Sequence, residues 1–321
     1  MKAKSFVANS LYDNNQTPYD EIGFTAFANY ARALVSHYSP QLKAVEVYNE
    51  YNGTFSNGPC ARNASCYAQM LRPTYQAIKA VRPDVTVVVG ATFGIDLDWF
   101  EDLFKAGALT YTDVISVHPY SDLFVDPPEL REIAEHLQKL QALIKVHNHR
   151  NSKPIWITEL GWSTALNITN EAEQAQYLVR SIMLSLSAGL QKFFWYDFLN
   201  DGTESINLEQ NFGLLRRPDA TGYTTLKLAY TAYAVLIREL ANRSFVGTVP
   251  SAPGVYHLRF SDNLDVLWSM PLDQSIMLPA TGPVTTTDMA GKKQTLLPTG
   301  GQLNLKLSAE PVYVCTQIAP E

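Results

Sequence analysis

Hydrophobic and polar positions fall into a repeating rhythm from Lys4 to about Leu240: a short apolar run, a loop, then a longer segment with helical spacing. The apolar runs are SFVA (Ser5–Ala8), AVEVY (Ala44–Tyr48), VTVVVGA (Val85–Ala91), DVISVH (Asp113–His118), PIWIT (Pro154–Thr158) and KFFWY (Lys192–Tyr196). They are mostly continuous rather than alternating, as in strands buried on both faces of a parallel sheet. Helical periodicity fills the intervals at Phe24–Tyr38, Ser65–Val81, Glu129–Asn148, Glu171–Gly189 and Thr224–Leu240, several of them ending at breakers such as the Arg82-Pro83 pair and Gly189. Strand and helix alternating in this way predict parallel βα units.

After Leu240 the rhythm changes. The segment GVYHLRFSDNLDVLWSM predicts two strands around a Ser261–Asn263 turn, VTTTDMAGKKQTLLP predicts a second hairpin, and EPVYVCTQI a last strand. The expected organisation is therefore an α/β domain over residues 1–240, built as an incomplete (β/α) barrel of about six units, followed by a small antiparallel β-sandwich over 241–321.

In such sheets the reactive groups collect where parallel strands end. Here those ends carry Asn49-Glu50, His118-Pro119-Tyr120, Thr158-Glu159 and Trp195-Tyr196-Asp197. Either glutamate alone reads as a solvated loop carboxylate or a partner for an arginine. Together they follow strands three positions apart, which face each other across a barrel interior, and two carboxylates facing one small space are the apparatus of glycosidic cleavage. His118 fits a satisfied core histidine as well as a site residue, and Trp195 fits core packing as well as a ligand platform. Trp162 and Tyr51 are further aromatic candidates for flanking sugar subsites.

Composition narrows the partners. A formal charge of -6 over 321 residues provides no basic field for a phosphate backbone, so nucleic acid is not an expected partner. No apolar run reaches the roughly 18 residues that span a bilayer, so no membrane association is expected. The Cys60 and Cys66 pair, in a Gly/Pro/Asn-rich stretch, reads equally as a disulfide or as two free thiols, with Cys315 left over; a disulfide would favour an exported protein. The spacing is no metal pattern, and neither a metal nor a cofactor is expected.

The segments VEVYNEYN, DVISVHPY, PIWITELGW and KFFWYDF, with QNFGLLRRPDATGYTTLKLAYTAYAVL after them, resemble the retaining glycoside hydrolases of clan A, most closely family 39 and its exopolysaccharide-degrading relatives. The resemblance covers nearly the whole chain. It implies Glu50 as acid/base, Glu159 as nucleophile, Asn49 on the sugar 2-hydroxyl, His118 and Tyr120 supporting the nucleophile and the bound ring, Trp195 as an apolar floor, and a carbohydrate substrate. It also implies that the first two strand-helix units of the barrel are missing, together with a basic residue that clan members place near the nucleophile. The rival reading is a weakly active or inactive carbohydrate-binding protein on a degenerate barrel. A Schiff-base aldolase is disfavoured, because no strand run ends in lysine. An open parallel sheet leaves backbone groups and apolar flanks uncovered, so the chain is expected to form a homodimer that covers the opening. Light scattering at micromolar concentration checks this, and a monomeric mass would count against it.

Overall fold

The computed structural model describes residues 16–121, 125–218 and 221–316. The Ser5–Ala8 run lies outside the described residues. The other five predicted runs form one five-stranded sheet in the order β1 (Ala44–Val47), β2 (Thr86–Phe93), β3 (Val114–His118), β4 (Ile155–Leu160) and β5 (Lys192–Trp195). Pairing from β1 through β4 is parallel, and β3 is buried along its whole length.

Helices α1 (Glu21–His37), α2 (Ala64–Val81), α3 (Leu97–Lys105), α4 (Ile133–His147), α5 (Glu171–Ser187) and α6 (Leu228–Leu240) occupy the intervals. Five match predicted helices to within a few residues. In α1 the Asp20 side chain accepts the Gly23 N–H at 2.9 Å, and Phe24, Ala28, Ala31 and Val35 form the buried stripe. Full burial of a side chain such as Phe24 or Val35 contributes roughly 1.5–3 kcal/mol. That stripe belongs to a helix packed on α2. The helix missing from the sequence reading is α3, a short element capped by Asp96, whose Trp99, Phe100, Leu103 and Phe104 are buried.

Beyond α6 the chain is antiparallel. A six-stranded sheet has the order β11 (Lys293–Leu296), β10 (Val284–Thr287), β13 (Val312–Thr316), β8 (Leu264–Ser269), β7 (Val255–Phe260) and β6 (Phe245–Thr248). A second sheet pairs β12 (Gln302–Leu307) with β9 (Gln274–Pro279). Leu267, Val284 and Val314 of the first share one apolar core with Leu278, Leu303, Leu305 and Leu307 of the second.

The secondary structure changes character at Leu240, but the two compact units divide elsewhere. The first comprises the chain up to Ser121, Glu135–Leu160 and Leu190–Phe194; the second comprises the segment ending at Ala134, Gly161–Gly189 and everything from Trp195. The antiparallel sheets thus belong with α5 and α6. Within this second unit Arg180 of α5 is fully buried, with Nε 3.1 Å from Glu129 Oε1 and an Nη1–H donated to the Ala309 carbonyl at 3.1 Å. The indole N–H of Trp268, on β8, donates to the same Glu129 oxygen at 2.9 Å. Burial pushes the Glu129 carboxyl above its ordinary range, against the opposing pull of Arg180 and Trp268.

The Glu129 network generates a stability prediction. Arg180→Met leaves that carboxylate buried without its cation, and urea unfolding should show a loss of about 3–5 kcal/mol. Adding Glu129→Gln should recover a large part of this loss, since both charges are then gone.

Candidate active site

Four residues of the first compact unit converge: Glu50, His118, Thr158 and Glu159. Their placement starts in β2, where the pairing register with β3 shifts between Val89 and Thr92. Gly90 sits there at φ 121°, and a Cβ at this position would lie 2.5 Å from the Ser116 carbonyl oxygen, so the chain accepts only glycine. The next residue, Ala91, is left-handed at φ 44°, and its N–H is taken by the Ser116 hydroxyl at 2.9 Å. Its carbonyl is turned to accept the Glu50 N–H at 2.8 Å.

On its own side, Glu50 lies three residues past the end of β1, in a turn where Tyr48 and Glu50 both have positive φ (68° and 44°). For side chains of this size the left-handed region is sparsely populated and has to be held by surrounding contacts. Those contacts are present. The Tyr67 hydroxyl, from α2, donates to the Val47 carbonyl at 2.6 Å, and Gly53 N–H donates to the Glu50 carbonyl at 2.9 Å. Asn52 closes the turn onto the end of β2, accepting from Phe93 N–H at 2.9 Å and donating to its carbonyl at 3.0 Å. Further along, Cys60 and Cys66 are joined in a disulfide, with Cα atoms 5.7 Å apart, so the bridged alternative is the one found.

His118, at the end of β3, is 1% exposed. Its Nδ1 is 3.0 Å from Glu50 Oε1 and 3.8 Å from Glu159 Oε2, and its Nε2 is 3.1 Å from Thr158 Oγ1. One oxygen from each glutamate and one histidine nitrogen all lie within 4.8 Å of one another. Because each ring nitrogen already faces a neighbour at hydrogen-bond distance, the arrangement is a hydrogen-bonded network. The family resemblance grouped His118 with Glu159; the shorter contact here is to Glu50.

Glu159 lies inside β4, not beyond its end, and is half-buried. Burial is the largest influence on its carboxyl and raises it; the His118 ring and a hydrogen bond from Tyr120 oppose, while Glu50 and Glu46 push the same way as burial. The balance leaves Glu159 above the ordinary carboxylate range. Tyr120 is buried, its ring stacked on Phe93 with centroids 6.3 Å apart. Asn49 is half-buried in the turn next to Glu50.

Among the aromatic candidates, Tyr51 is fully buried between Tyr48 and Tyr67, which removes it from any sugar subsite. Trp162, in the second unit, is also fully buried, with the Arg131 guanidinium 4.1 Å over one face and Trp195 stacked at 6.1 Å. It too is core. Trp195 is half-buried within that second unit. Sequence reasoning named Thr158 only as the neighbour of Glu159 at a strand end, and missed Glu46, whose Oε2 lies 4.0 Å from His118 Nε2 at the margin of the cluster. Glu46 was detectable as a lone charge between Val45 and Val47 in an otherwise apolar strand.

Residues 18–217 match the family described as glycosyl hydrolase catalytic core, and the chain belongs to that family. Its fold is similar to that of a family 39 glycoside hydrolase from the gut symbiont Bacteroides cellulosilyticus, with a TM-score of 0.79 at 24% identity, covering 94% of this chain and 63% of that one. A monomeric β-xylosidase from Caulobacter crescentus superposes at TM-score 0.56 and 16% identity, over 93% of this chain and 75% of the other. An α-L-arabinofuranosidase from Thermotoga maritima does so at 0.61 and 12%, over 91% and 72%. The chain thus spans less than two thirds of the length of the family 39 enzyme. No curated protein matches it in sequence.

The electrostatics of Glu159 predict its titration. Followed by carboxyl-resolved NMR, its midpoint should lie above the ordinary glutamate value of about 4.3. His118→Asn should raise it further, because the chief influence favouring the carboxylate is removed. A midpoint that falls in that variant would contradict the geometry.

Proposed function

We propose that the chain is a retaining β-glycoside hydrolase that cleaves an oligosaccharide or polysaccharide by double displacement. The observation that carries this reading is the proximity of Glu50 and Glu159, with an oxygen of each within 4.8 Å of the other. Retaining enzymes hold their carboxyl groups about 5–5.5 Å apart, whereas inverting enzymes keep roughly 6.5–9.5 Å to admit a water. Family membership and the similarity to a family 39 fold support the same class.

In this reading Glu50, protonated, gives its proton to the leaving glycosidic oxygen while the Glu159 carboxylate attacks the anomeric carbon, forming a glycosyl ester and releasing the leaving alcohol. Glu50, now a carboxylate, takes a proton from water. The water oxygen attacks the anomeric carbon, the ester bond breaks, and both glutamates return to their starting states. Asn49 is assigned the sugar 2-hydroxyl, and Tyr120 holds Glu159 in line. The nucleophile has to be ionised, so the raised Glu159 carboxyl places the acidic limb of activity above the value of an unperturbed glutamate.

The finer architecture belongs to the same proposal: an incomplete barrel whose free side at β5 is covered by a second copy of the chain. It is supported by the exposure of Phe194, 47% accessible on a strand of a parallel sheet, where burial is the rule.

The test uses aryl β-glycosides, including xylosides, alongside α-L-arabinofuranosides and soluble polysaccharides. Glu159→Ala should abolish turnover of whichever substrate is cleaved. Glu50→Ala should slow substrates with poor leaving groups by about 10²–10⁴-fold, and spare the first step for activated aryl leaving groups that need no proton. Saccharide binding without turnover, unchanged in Glu159→Ala, would instead support a carbohydrate-binding protein.

A further inference from the structure

Strand β2 ends in an aromatic residue to which the hydrolytic scheme gives no task. Phe93 is half-buried, at the carboxyl end of a strand whose interior is buried throughout. Carboxyl ends are where the side chains of a parallel sheet meet ligand.

The Phe93 backbone is held from both sides. Toward β1, Asn52 accepts its N–H at 2.9 Å and donates to its carbonyl at 3.0 Å, and the same carboxamide donates to Asp96 Oδ2 at 3.1 Å. Toward β3, the next residue, Gly94, donates its N–H to the His118 carbonyl at 2.8 Å. Gly94 does so at φ 70°, a conformation that suits glycine. A ring carried on so constrained a backbone loses little freedom when a ligand rests on it.

Two contacts place Phe93 beside both carboxylates. A Cβ built on Gly53 would stand 3.8 Å from Glu50 Cβ and 3.7 Å from Phe93 Cβ, so these two side chains leave the backbone on either side of one glycine. In the other direction the Phe93 ring stacks on Tyr120, with centroids 6.3 Å apart and planes 18° from parallel, and Tyr120 donates a hydrogen bond to Glu159. Phe93 is therefore one residue removed from each carboxylate. Of the two stacked rings Tyr120 is buried, and Phe93 keeps the open surface.

A pyranose presents a face of C–H bonds that packs on an aromatic ring. The negative face of the ring also favours the positive charge that grows at the anomeric carbon in an oxocarbenium-like transition state. We propose that Phe93 is a substrate-binding residue, an aromatic wall for the sugar whose anomeric carbon Glu159 attacks. This rests on the reading of Glu50 and Glu159 as the hydrolytic pair. Because the wall serves that sugar and not the leaving group, its loss is felt even when no sugar departs.

Phe93→Leu and Phe93→Tyr, made in the whole chain, test this on two substrates of one sugar. They are the aryl β-glycoside that the wild type cleaves and the corresponding glycosyl fluoride, whose leaving group is a single atom. Phe93→Leu should lower kcat/KM about tenfold on both, chiefly through kcat, since the ring acts most strongly on the charged transition state. Phe93→Tyr, which keeps the ring, should stay within about twofold of wild type. In Glu159→Ala with the aryl glycoside bound, NOEs should connect the Phe93 ring protons to C–H protons of the sugar.

A wild-type rate in Phe93→Leu, a loss confined to the aryl glycoside, or a bound sugar without NOEs to Phe93 would each overturn the proposal. If Phe93→Leu does not fold, the NOEs in Glu159→Ala still decide it. Failure of the wild type to cleave or bind any saccharide would sink the hydrolase reading and the wall together. Turnover by the wild type that Phe93→Leu leaves unchanged removes the wall alone.

Discussion

The hydrogen bond from the Glu50 N–H to the Ala91 carbonyl, at 2.8 Å, is the contact on which the rest of the candidate site depends. A regular β2 would send that carbonyl along the sheet ladder. The bulge at Gly90-Ala91 frees it, and the turn after β1, in which Tyr48 and Glu50 are both left-handed, uses it to hold Glu50 in place. Glu50 is consequently positioned by the neighbouring strand as much as by its own. The residue that permits this is Gly90, which carries no chemistry at all.

Both compact units solve a related electrostatic problem in different ways. In the second, one permanently charged Arg180 meets one buried Glu129, with Trp268 and the Ala309 carbonyl completing the hydrogen bonds. That arrangement is static: the guanidinium does not release its proton in any ordinary range of pH. In the first unit, three glutamates meet a histidine, which can gain or lose charge. A fixed ion pair suits a structural joint, whereas a titratable centre suits a place where protons have to move.

The parallel strands and most helices were legible in the sequence because continuous apolar runs and 3.6-residue periodicity extend over whole elements. The pairing of Glu50 with Glu159 was legible for the same reason, since both could be counted from strand ends. Shorter features were not. Helix α3 packs four large side chains into nine residues and offers too brief a period. Strand β12 does alternate, with Leu303, Leu305 and Leu307 inward, but it lies between turn residues that obscure its limits. Tyr51 and Trp162 were misread because an aromatic beside a functional segment has the same sequence signature whether it faces ligand or core. The division of the compact units was also invisible, because the Arg180–Glu129–Trp268 contacts join residues far apart in the chain.

The Tyr67 hydroxyl has a wider meaning than one bond. It donates to Val47 at the end of β1, and it also receives the Gly90 N–H from the bulge of β2 at 3.4 Å. A single phenol thus reports the seating of α2 to both backbones that set Glu50. Since α2 is itself packed against α1, the placement of Glu50 depends on helix packing in the first unit as well as on the sheet. A shift in the seating of that helix is therefore felt at Glu50 through both strands at once.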